Sequence, residues 1–153
     1  KIPGYAGYAD REQSRDADRL HREFLAKGVT ALKNSMKDVQ AELLRGGGLA
    51  HMGRLGDLGN KLDRVAERLR HASYGYAGLM AHNQINEAEL SRIYEFDLGL
   101  VNQLHYCEEA LKALEAATST PDTLVARMGD LEKTVREFDS KIDEREKLLK
   151  GAI

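Results

Sequence analysis

Spacing is the feature that most narrows what this chain can fold into. Leu25, Val29, Leu32, Met36, Val39 and Leu43 recur at alternating steps of four and three. Leu55, Leu58, Leu62, Val65, Leu69, Ala72, Tyr76 and Leu79 keep the same rhythm. A third ladder runs through Leu90, Ile93, Leu100, Leu104, Cys107, Leu111 and Leu114, with one rung missing. The fourth holds Leu124, Met128, Leu131, Val135, Phe138, Ile142 and Leu149, with Arg145 on its polar rung. A mean step of about 3.5 turns one narrow apolar face toward a partner helix, whereas a strand needs period two. No segment sustains that alternation. The expected fold is all-α: an antiparallel up-down four-helix bundle with coiled-coil-like spacing, one domain over residues 1–153. A coiled-coil dimer that shares helices between chains is the competing arrangement.

The punctuation places the helices at about 10–45, 57–75, 86–117 and 121–150. Gly46, Gly47 and Gly48 close the first, since consecutive glycines are costly inside a helix and suit a turn. Glycines at 53, 56 and 59 predict that regular helix resumes only near Asp57. Asn86 before Glu87 and Glu89 reads as a helix start. Thr120 as cap and Pro121 in the first turn open the last helix, and Gly151 closes it. Short connections between long helices make sequential neighbours antiparallel.

Composition supports this picture and removes several functions. Charged residues make up 31% of the chain, with two prolines and no tryptophan, which suits helices with solvated outer faces. A net charge of −2 gives no reason to expect nucleic acid or an acidic membrane as partner. Cys107 is the single cysteine, so an intramolecular disulfide is impossible, and a reducing, cytoplasmic setting is expected. No apolar run approaches the ~18 residues of a membrane span, and no signal peptide is visible.

Candidate chemistry is sparse. A two-metal carboxylate site in such a bundle needs Glu-x-x-His on two helices, all pointing inward. The nearest approximations are Asp18 with His21, Glu67 with His71, and His105 with Glu108 in reversed order. Each pair falls beside or outside the ladder, where surface ion pairs are expected. Cys107 occupies a rung as a small buried hydrophobe, and His105, two residues away, points elsewhere on a helix. The glycine-rich stretch 46–59 lacks the Gly-Lys-Ser/Thr ending of a phosphate loop. Arg11, Arg15, Arg19 and Arg22 form a stripe interleaved with Asp10, Glu12, Asp16, Asp18 and Glu23, which reads as a solvated face of ion pairs. Lys61, Arg64 and Arg68 form a smaller basic strip, neutralised by Asp57, Asp63 and Glu67. No catalytic, cofactor-binding or metal residue is assigned, and no cofactor is expected.

Asp97 falls where the third ladder calls for an apolar residue. The favoured reading gives that place to Phe96 and turns Asp97 partly outward. The alternative buries Asp97 against a partner such as a tyrosine hydroxyl, where it fixes the register of the bundle.

The tetrapeptide Gly-Tyr-Ala-Gly occurs at 4–7 and at 75–78. A shift of 71 residues that superimposes the copies also aligns Gln13 with Gln84, Ala17 with Ala88 and Gly28 with Gly99, as a duplicated helical hairpin would. Tyr5, Tyr8, Tyr74 and Tyr76 flank long charged helices. They read as staples of chain entry against the bundle ends, or alternatively as an exposed aromatic patch for a partner.

Ile2-Pro3-Gly4-Tyr5-Ala6-Gly7-Tyr8 with Arg11-Glu12 and Arg15-Asp16-Ala17-Asp18, His71 to Gly78, and Tyr94-Glu95-Phe96-Asp97-Leu98 resemble an uncharacterised family of bacterial helical proteins. The resemblance covers residues 2 to about 115 and implies a bacterial origin, with no activity to carry over. The functional expectation is a non-catalytic scaffold or protein–protein interaction module, with a protein partner or self-association as a homodimer. The alternatives are a bundle-housed metal- or small-ligand enzyme drawing on His21, Glu67, His71, Asp97 and His105, and a peripheral membrane adaptor.

Overall fold

Among the described residues, the four ladders become four α-helices: α1 Arg11–Arg45, α2 Met52–His71, α3 Glu87–Ala116 and α4 Pro121–Leu149. The computed structural model describes residues 11–72 and 87–149, less the side chains of 11–15, 87, 89, 90 and 149. Both Gly-Tyr-Ala-Gly copies, with Tyr5, Tyr8, Tyr74 and Tyr76, lie outside the described residues, as do Asn86 and Gly151. At 1.5 Å per residue, the 35 residues of α1 span about 52 Å.

The first turn shows why three glycines stand together. Gly47 takes φ +84, a left-handed conformation that costs glycine little. The Gly48 amide then donates to the Leu43 carbonyl at 2.6 Å, and the Gly47 amide to that of Leu44 at 3.4 Å. This pair of bonds satisfies carbonyls that the helix end would leave orphaned. Helix resumes earlier than the glycines at 53 and 56 suggested. A 3-10 turn at Leu49–His51 leads directly into α2 at Met52. A Cβ built at either glycine meets nothing within 4 Å, so these residues face open space and do not break the helix. In the second turn the Leu124 amide donates to the Thr120 carbonyl at 2.9 Å, starting α4 as Pro121 predicted.

α1 packs on α2 and α3 on α4 as antiparallel hairpins. The hairpins then stack, bringing α1 alongside α3 and, more loosely, α2 alongside α4. Among the described residues, α1 and α4 are diagonal, as are α2 and α3. The rungs form one continuous core, in which Leu25, Met36, Leu55, Leu62, Leu100, Leu114, Leu131 and Phe138 are fully buried. Cys107 is buried as expected of a small hydrophobe.

The glycines that the 71-residue shift aligns differ in surroundings. A Cβ on Gly28 would fall 2.4 Å from Leu104 Cδ2, so this glycine lets α1 approach α3 closely. A Cβ on Gly99 would meet nothing within 4 Å. Gly99→Ala should therefore stabilise the fold by up to about 1 kcal/mol, through helix propensity alone. Gly28→Ala should be destabilising or neutral, because overpacking of about 1–3 kcal/mol opposes that gain. Urea denaturation of the two variants beside wild type checks the contrast, and equal effects would contradict it.

Candidate functional site

The helices bring a set of ionisable side chains into the interior. Asp18, His21 and Arg22 on α1, Asp97 on α3 and Arg145 on α4 are all buried, with exposures from 0% for His21 and Asp97 to 9% for Arg22. Asp18, His21, Arg22 and Leu25 lie three or four residues apart, so one face of α1 carries all of them inward. Its apolar ladder thus continues as a polar one toward its start.

The arrangement is a chain of charge-assisted hydrogen bonds. The Arg145 guanidinium donates through Nε to Asp97 Oδ1 at 2.8 Å and through Nη2 to Asp18 Oδ1 at 2.6 Å. The other Asp18 oxygen accepts from Arg22 Nε at 2.9 Å. Arg22 Nη1 donates in turn to the Leu69 carbonyl at 2.7 Å and to that of Arg70 at 3.3 Å. Those carbonyls belong to the last turn of α2, where the helix supplies no partner of its own and a cation is favoured. One continuous network thus reaches all four helices. It bridges the α1–α4 diagonal, where the backbones themselves do not meet. Two carboxylates and two guanidiniums also balance in charge, which is the condition under which buried ions are tolerated.

His21 is the exception within the cluster. Its Nε2 lies 3.5 Å from Asp97 Oδ1, close enough for electrostatic attraction. Yet neither ring nitrogen has a hydrogen-bond partner among the described residues. Burial lowers its pKa from 6.5 to about 4; Asp97 and Asp18 oppose that shift, while Arg145 and Arg22 add to it. The ring is therefore neutral at pH 7, with one N–H and one lone pair left unsatisfied in the interior. Such groups cost about 1–3 kcal/mol each.

Several expectations are corrected here. Asp97 is not turned partly outward. It is fully buried while Phe96 is half-buried, because Arg145, the polar rung of the fourth ladder, supplies its counter-charge. Burial of Asp97 agrees with the alternative reading, and the guanidinium of Arg145 is one of its partners. Asp18 and His21 do not form a surface pair, since both face the interior. Arg22 leaves the solvated stripe, whereas Arg19 stays on it with Asp16 at 3.6 Å. The other two histidine–glutamate pairs lie on exposed helix faces. His71 Nε2 is 2.9 Å from Glu67, and His105 Nδ1 is 2.7 Å from Glu108.

Two further polar details complete the interior. Gln103 is buried and donates to the Thr134 carbonyl at 3.0 Å, which joins α3 to α4. No ladder rung marks it, and its sequence carried no signal. The Cys107 thiol is pushed up to about 11, chiefly by burial, so it holds its proton and is a poor nucleophile. Among the described residues, no three His, Cys, Asp or Glu side chains converge as a metal site. No helix among them is long and apolar enough to cross a membrane. No family model, curated protein or solved structure matches this chain.

Two outcomes follow from the network. Arg145→Met removes the cation that Asp97 and Asp18 share and leaves the buried site with two carboxylates against the single guanidinium of Arg22, so it should cost about 3–5 kcal/mol in chemical denaturation. A loss under 1 kcal/mol would show the network to be dispensable. For His21, the folded-state pKa lies below the ordinary 6.5, so the unfolded chain takes up the proton first as pH falls. Stability from this group is full above about pH 6.5 and falls toward pH 4, by about 3 kcal/mol in all. His21→Leu should abolish that component and, by removing two unpaired nitrogens, match or exceed wild type at pH 7. Parallel stability–pH curves for the two proteins would contradict the assignment.

Proposed function

We propose that this chain is a non-catalytic helical-bundle scaffold or protein–protein interaction module, working in a bacterial cytoplasm. The observation that carries this reading is the pairing of Asp18, Arg22, Asp97 and Arg145 on one another. These are the charged groups of the described interior, and each is engaged in holding helices together. A general acid, base or nucleophile must be available to a substrate, and these are not. The buried, proton-holding thiol of Cys107 supports the same reading. Contact with a partner then falls to the outer surface, where Leu44, Leu49 and Tyr106 are more than half exposed.

A second reading rests on His21 alone. A neutral imidazole whose nitrogens both lack a partner among the described residues, in a buried, charge-balanced site, suits a small polar ligand that both donates and accepts a hydrogen bond. Its metal version is disfavoured, because two guanidiniums face the same carboxylates and repel a cation.

Affinity capture from the native organism with mass spectrometry, repeated with His21→Leu, separates the two. The scaffold reading expects one reproducible protein partner, or the chain's own copies, retained in the variant. The ligand reading expects a small molecule in native mass spectra of wild type that the variant has lost. Capture of neither a partner nor a second copy would overturn the scaffold reading.

A further inference from the structure

The looser seam of the bundle carries an arrangement that the internal network does not explain. α2 and α4 run side by side, and two ion-pair clamps tie them. At one end Arg54 forks onto Glu132, with Nε to Oε2 at 2.9 Å and Nη2 to Oε1 at 2.5 Å. That fork holds the Glu132 carboxyl below its usual range. At the other end Arg68 reaches Asp139 at 3.0 Å, Glu146 at 3.3 Å and Asp143. Between the clamps the pattern changes. α2 contributes Lys61 and Arg64 and α4 contributes Arg136 to one groove of about 320 Å³.

Among the described residues, none of these three cations has a carboxylate within pairing distance. The contrast with the rest of the molecule is specific. Among the arginines whose side chains are described, only Arg64, Arg92 and Arg136 lack an ion pair, and two of those three line this groove. Asp57 and Glu132 also line it, but Glu132 is held by Arg54. The lining therefore has four cations against two carboxylates, a local excess of +2 on a chain of net charge −2. Like charges facing one another across a helix seam repel, and a multivalent oxyanion between them reverses the sign of that interaction. Guanidinium forks match phosphate oxygens in geometry, and a lysine adds a point charge.

We propose that this α2–α4 groove is a binding site for a small molecule bearing a diphosphate group, held by Lys61, Arg64 and Arg136. The groove volume is at the lower end of small-molecule sites, which suits a compact ligand. The clamps at Arg54–Glu132 and Arg68 set the helix separation, so the three cations stand ready before the ligand arrives.

The probe is inorganic pyrophosphate, titrated into the isotope-labelled full chain at about 0.15 M salt, where long-range attraction is screened. Amide shifts that saturate and cluster at 54–64 and 132–136 are the expected result. Arg64→Gln with Arg136→Gln should weaken binding at least about tenfold. Arg92→Gln, which removes a cation on α3 that also has no ion pair among the described residues, should leave it unchanged. All three positions are on the surface, so the variants remain folded. Shifts that fail to saturate, or equal losses in the groove and α3 variants, would overturn the site. Co-sedimentation with anionic phosphatidylglycerol vesicles in the absence of any pyrophosphate response would overturn it too, in favour of a membrane surface.

Discussion

Removing charge from water is costly, and the arrangement of the helices has to compensate that charge. Four ionised side chains enter an interior otherwise built from leucine, valine and methionine. Each is tolerable only beside its counter-charge, and those counter-charges are on different helices. Arg145 has to meet Asp97 and Asp18 together, while Arg22 has to reach both Asp18 and the end of α2. These conditions are met at one axial position of the helices. A ladder of leucines is far less demanding, since sliding a helix by one heptad exchanges one apolar rung for another. The network therefore supplies register to a core that has little of its own, at some cost in stability relative to apolar residues of the same volume.

His21 fits the same account in a different way. The charges around it cancel, so burial governs its titration and keeps the ring neutral. Neither of its nitrogens has a hydrogen-bond partner among the described residues, in a site where every neighbouring ion is paired. Local disagreement of this kind within an otherwise consistent fold is where function is most often found. For that reason the ligand reading stands beside the scaffold reading. The two faces of the molecule also differ in kind. Inside, opposite charges are matched one to one; along the α2–α4 seam, three cations are left together between two matched clamps. The first arrangement holds the bundle together, whereas the second is open to solvent and free to engage something else.

Much of the architecture was legible without coordinates, and the reasons are physical. Steps of three and four admit one secondary structure, and nearly every described rung is buried. The three glycines at 46–48 and the prolyl start at 121 marked the turns because their backbone requirements are local. The candidate site was legible only in fragments. Asp97 stood out as a polar residue on an apolar rung, and Arg145 stood out on the fourth ladder for the same reason. Pairing the two anomalies would have predicted their contact. Asp18, His21 and Arg22 gave no such sign. They continue the α1 face in a segment whose alternating charges read equally well as a solvated surface, and Gln103 interrupts no ladder.

The sequence by itself determined that this protein is helical, where its turns fall and which residues form the core, since those properties depend on periodicity and on backbone preferences within a few residues. Only the tertiary structure decided which helices are neighbours and which charges are inside. Stacking the hairpins with α1 beside α3 and α2 beside α4 sets which residues share a level along the bundle. That level brings Asp18, Asp97 and Arg145 together from three helices, and it places Lys61, Arg64 and Arg136 along one groove. Burial of a charge depends on a partner far away in the chain, and no local pattern records where that partner will be.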